Sequence, residues 1–142
     1  MPRHRNDARW LGIGTDRYRW RIGHSHEDLE SPTERDKTCR EILELRRDRS
    51  PGRVYIEFRV GNGFLVSEGW LLHSGQVRHA DGRGLNLNQP GVVRALLDAA
   101  LANGWDPLAN AVAELDGWAL FDAAFANSTS GQYQASGGSV GP

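Results

Sequence analysis

Between residues 53 and 60 the chain reads RVYIEFRV, and Val54, Ile56, Phe58 and Val60 alternate without a break with Arg53, Tyr55, Glu57 and Arg59. Successive side chains of an extended strand point to opposite faces, so this pattern demands a strand with one face in a core and the other in water. The stretch YRWRIGH repeats the demand: Tyr18, Trp20, Ile22 and His24 alternate with Arg17, Arg19, Arg21 and Gly23. Further along, the period changes. Val93, Leu96, Leu97, Ala100 and Leu101 recur at helical spacing behind Asn88, which can cap, and Pro90 in the first turn, and Gly104 supplies a left-handed stop. A helix over about 89–103 is the most secure element.

The remaining segments are less sharply written. CREILELRR joins RVYIEFRV through DRSPG, where Pro51-Gly52 is turn chemistry. A hairpin is favoured there, yet SPTE at 31–34 has the form of a capping box with Pro at the first helical position. A helix from Pro32 to about Arg47 therefore competes with a strand from Cys39. Residues 61–84 break into short pieces at their glycines, with strands expected near Phe64–Val66 and Trp70–His73. AVAEL suits a short strand, and Asp116 can cap a last helix on which Trp118, Phe121 and Phe125 share a face. Strands gather early and helices late. The class is α+β, a mainly antiparallel sheet packed with one main helix and a shorter C-terminal helix.

A chain of 142 residues makes one ordinary domain. Residues 1–8 are polar and read as a flexible N-terminus, 9–126 as the folded unit, and 127–142 (NSTSGQYQASGGSVGP from Asn127) as a disordered tail too poor in apolar groups to repay its ordering. The single Cys39 excludes an internal disulfide. No charged-then-apolar leader and no apolar run near 18 residues is present, so a cytoplasmic protein without a membrane partner is expected.

The combination YRWRIGH, LHSG, LNLNQPGVVRALLDAAL, NGWDP and ELDGW resembles a group of small uncharacterised bacterial proteins from GC-rich, actinobacteria-like genomes, over about residues 15–125. The resemblance implies a single intact domain. It implies no activity, cofactor or site.

Chemistry has three places to reside. His24 and His26 on one strand face could ligate a metal, with Glu27, Asp28, Cys39, His73 or His79 completing the set, but no second closely spaced ligand pair exists and edge histidines ordinarily form hydrogen bonds. Arg78, His79 and Arg83 precede the best helix and could bind an anion, although their spacing matches no phosphate loop and Pro90 deletes a donor. The Arg17–Arg21 face could touch nucleic acid. Against that, alternation sends the aromatics of its own strand inward, and Glu41, Glu44 and Glu57 stand ready to neutralise it; the formal charge of −1 adds no general pull. No GxSxG elbow surrounds any serine, and no catalytic residue or cofactor is assigned. The reading is a non-catalytic interaction domain, antitoxin-, immunity- or accessory-like, whose partner is another protein, with a metal-binding protein or enzyme centred on His24 and His26 as the alternative.

Overall fold

A computed structural model describes residues 8–27, 29–66 and 75–137. The chain opens with β1 (Arg9–Ile13) and β2 (Asp16–Ser25), passes through α1 (Pro32–Asp36), and continues as β3 (Arg40–Arg47) and β4 (Arg53–Arg59). Three short strands follow: β5 (Leu65–Val66), β6 (Gln76–Arg78) and β7 (Gly84–Asn86). The chain ends with α2 (Pro90–Ala102), β8 (Val112–Asp116) and α3 (Gly117–Gly137). The main sheet has the order β1-β2-β3-β4-β8, antiparallel except for the parallel pair β4-β8, and β5-β6-β7 form a small antiparallel sheet. A parallel neighbour needs a long crossover, which the small sheet and α2 supply between β4 and β8.

The α+β class and the mainly antiparallel sheet follow the sequence pattern. Tyr18, Trp20 and Ile22 of β2 are buried, Leu43 and Leu45 of β3 and Val54, Ile56 and Phe58 of β4 are fully so, and the arginines between them point away. Onto this one face pack α2, through Val93, Leu96, Leu97 and Ala100, and α3, through Leu120, Phe121 and Ala124. Each helix closes part of a single core.

Between residues 32 and 47 both competing readings hold in part. Ser31 Oγ accepts the Glu34 N–H (3.3 Å) and starts a helix, but it lasts only to Asp36, and the strand follows from Arg40. A helix carried on to Arg47 would scatter Leu43 and Leu45, which the strand aims together at the core. The main helix matches expectation closely, except that Gln89, not Asn88, occupies the capping position, and its side chain makes no capping bond. Gly104, at φ 101°, is the stop. Asp116 Oδ1 accepts the Trp118 N–H (3.1 Å), as a cap should.

Two expectations need correction. The C-terminal helix is the longer of the two main helices, 21 residues against 13. It also runs past residue 126, where the folded unit was expected to end, and Ser128 is buried. Helical hydrogen bonds begun at the core side carry the backbone on through a polar composition that would not start a helix by itself. The strand expected at Trp70–His73 lies outside the described residues.

Candidate functional site: an uncovered, polarised sheet face

The expected metal pair comes first. His24 leaves the end of β2 on the core side, directly across from Glu41 of β3. Its Nδ1 lies 2.6 Å from Glu41 Oε1, while Glu41 Oε2 accepts the Gly75 N–H at 3.0 Å. Glu41 is thus 1 % exposed with both oxygens engaged. His26 Nδ1 donates to the Glu27 carbonyl (3.2 Å), and the two imidazoles meet edge to face. Cys39 is buried, and His79, just past the end of β6, lies among the rings of Phe64, Trp118 and Phe121. Among the described residues no three His, Cys, Asp or Glu side chains are grouped to hold a metal ion. Asp28 and His73 lie outside those residues. Glu41, read from sequence as a counter-charge for the arginine face, belongs instead to the core side and serves His24 and the small-sheet backbone.

The expected anion loop is a clasp. Arg83 grips Asp81 through Nε and Nη2 (3.0 and 2.7 Å), reaches Asp122 of α3 at 2.7 Å, and lies over the rings of Phe121 and Phe125. These hydrogen bonds hold the Asp81 carboxyl down at about 2 and push the Arg83 pKa upward. His79 Nδ1 accepts the Asp81 N–H (3.2 Å). Arg83 therefore ties the small sheet to α3 and is directed away from the start of α2. Of the three, Arg78 is the exposed cation without such a tie among the described residues.

The opposite face of the main sheet carries no covering element among the described residues. The strand register reads as rows across it. One row runs Trp10, Arg19, Arg46, Arg53, Val112, from β1 to β8. The next runs Arg21, Glu44, Tyr55, Glu114, and the third Gly23, Ile42, Glu57, Asp116. Glu44 is shared between Arg21 (3.3 Å) and Arg53 (3.9 Å), and Glu57 between Arg59 (2.8 Å) and Arg40 (3.2 Å). Arg19 and Arg46 have no acidic partner among the described residues. Trp10 is 47 % exposed, with the Arg17 and Arg19 guanidinium carbons 4.1 and 5.5 Å from its ring centroid. An aromatic does therefore stand among the arginines. It comes from β1, a strand whose five residues show too little alternation to be recognised in the sequence.

Where the parallel strands β4 and β8 end, this face runs into an open cleft of about 580 Å³. Phe64, Leu115 and Trp118 give it apolar walls, Glu57, Glu114 and Asp116 acidic groups, and Arg59, paired with Glu57, a basic one. The Trp118 indole is fixed by its N–H to the Arg59 carbonyl (2.8 Å) and by the rings of Phe58 and Phe64. Glu114 has no basic partner among the described residues. The face thus carries arginines over β2, β3 and both ends of β4, with Glu44 and Glu57 among them, and is acidic over β8. Alternation placed Arg19, Arg53 and Glu57 on the wet side already; what it could not supply was the register that lines up Arg19, Arg46 and Arg53, or β8 as a neighbour of β4.

No protein-family model, curated protein or solved structure matches the chain. The site's own geometry carries the functional argument. Among the described residues no helix is long and apolar enough to cross a membrane.

Proposed function

We propose that the protein is a non-catalytic interaction domain that binds another protein across the uncovered face of its main sheet. The observation that supports this reading is the row Arg19–Arg46–Arg53, three guanidinium-bearing residues directly opposite one another on adjacent strands. Like charges in that position destabilise a sheet. Glu44 offsets the row only at Arg53, so an anion from outside completes it, and the planar guanidinium fork favours carboxylates bound in two-point fashion. The acidic end selects the kind of partner. A polyphosphate crossing the sheet would meet Glu114 and Asp116, whereas a protein with an acidic patch and a neighbouring basic side chain matches both ends. In the cleft that side chain would lie against Trp118, where cation–π attraction adds to the carboxylates.

The groups that sequence offered for chemistry have structural duties, which favours binding over catalysis: His24 is held by Glu41, Cys39 is buried and Arg83 is clasped. The role proposed on this basis is a cytoplasmic accessory, antitoxin- or immunity-type one. Immobilised full-length protein should retain a partner from the lysate of its own cell. Arg19→Glu/Arg46→Glu should lose it while melting as a folded domain, and nuclease should leave capture unchanged. Equal capture by both proteins, or capture abolished by nuclease, would contradict the reading.

A further inference from the structure

No strand among the described residues pairs with the outer edge of β1; that edge is self-complementary, and we infer that two copies of the chain pair antiparallel along it, centred on Leu11, to make one continuous sheet. β1 is the terminal strand of the main sheet, and its sequence RWLGI carries one charge, no proline and no lysine. Edges that stay unpaired are ordinarily guarded by such residues. The β1–β2 turn, Gly14-Thr15, has two residues with Gly14 at φ 62°, the arrangement in which Ile13 and Asp16 close the ladder as a hydrogen-bonded pair. Alternation then turns the backbone N–H and C=O groups of Trp10 and Gly12 outward, away from β2.

Antiparallel pairing about Leu11 sets Trp10 opposite Gly12 of the second copy, and Arg9 opposite Ile13. The outward-facing backbone groups of residues 10 and 12 meet each other, the bulkiest side chain faces the residue without one, and no like charges face across the seam. On the helix-covered side, Leu11 and Ile13 are half-buried against the core and would gain the same residues of the second copy as neighbours. The arginines of the two β2 strands would stand about 14 Å apart, three strand spacings, beyond the screening length in physiological salt. The other edge lacks this fit. Self-pairing of β8 about its centre would set Glu114 against Glu114. A seam of five residues is short, so the association belongs to the weak class of interfaces. The pairing does not depend on what binds the uncovered face, but it would extend that face across both copies.

Sedimentation of the full chain over a range up to about 500 µM should show a monomer–dimer equilibrium of the weak type. Leu11→Cys provides the register test. The two sulfurs would sit at a non-hydrogen-bonded pair, with Cα atoms about 4.5 Å apart, within disulfide reach. Mild oxidation should link the variant into a covalent dimer, while wild type, whose one cysteine is buried, stays unlinked. Gly12→Lys has room in the monomer, since a Cβ there meets nothing within 4 Å. It should weaken association at least about tenfold, equivalent to 1.4 kcal/mol, and leave the thermal melt unchanged. A chain that stays monomeric throughout overturns the inference. So does a dimer that Gly12→Lys leaves intact, or one in which folded Leu11→Cys does not cross-link.

Discussion

Replacing Glu41 by Ala removes the two acceptor atoms that hold the His24 imidazole and the Gly75 backbone N–H together, in a site with almost no access to water. Hydrogen bonds to a charged group contribute about 1.5–3 kcal/mol each, and the Gly75 donor would be left unsatisfied. The variant should lose about 2–4 kcal/mol in urea denaturation, and His24→Asn less than half of that. A Glu41→Ala loss below about 1 kcal/mol would mean that this carboxylate does not hold the sheets together. Sequence set this residue among the counter-charges of the arginine face, and its partner was not legible, because Gly75 lies 34 residues away. The strand facings can be tested in the same way. Trp20→Ala should cost about 3–5 kcal/mol, as for other buried aromatics. Arg19→Ala should change stability by less than about 0.5 kcal/mol.

At the scale of elements, β2, β4 and α2 were readable because their periods are long and unbroken, and β8 because AVAEL precedes a capping Asp116. β1 was not recognised, since five residues carry little pattern, and the extent of α3 was missed because polar residues follow a strong start. Among the described side chains, the apolar groups by which α3 closes the core end at Phe125. Removing residues 129–142 should therefore lower the melting temperature by less than about 5 °C. The start of the same helix is less tolerant. A Cβ on Gly117 would collide with the Phe58 ring, so Gly117→Ala should cost about 1–3 kcal/mol by overpacking. The clasp between the small sheet and α3 adds a pH dependence. Asp81 is held at about 2, below the ordinary carboxylate range, so its contribution is present in full above the unfolded value and is lost as pH falls towards 2. Amide exchange in the 78–83 hairpin, taken relative to the unstructured rate at each pH, should rise through that window in wild type. In Asp81→Asn it should be raised already at neutral pH and show no such step.

Across the whole molecule, one rule of alternation generates both halves of the account. The face that packs α2 and α3 takes the apolar phase of every long strand, and the polar phase is left on a sheet that nothing among the described residues covers. Sequence alone shows the arginines as singles on separate strands, neutralised on average by a balanced composition. Only the register β2-β3-β4 puts three of them in a row, and only the parallel return of β8 sets a separate acidic end beside them. If that row is kept for a partner, it is kept against the stability of the isolated domain. The measurement that tests this most directly is the thermal melt of Arg46→Glu at low and high salt, with partner capture on the same sample. The variant should melt higher than wild type by about 1–4 °C at low salt, from two favourable cross-strand pairs replacing two unfavourable ones. That gain should fade near 1 M salt, and capture should be lost. A variant that melts lower than wild type, or that melts higher yet still captures the partner, would contradict the claim that the arginine row is a binding surface.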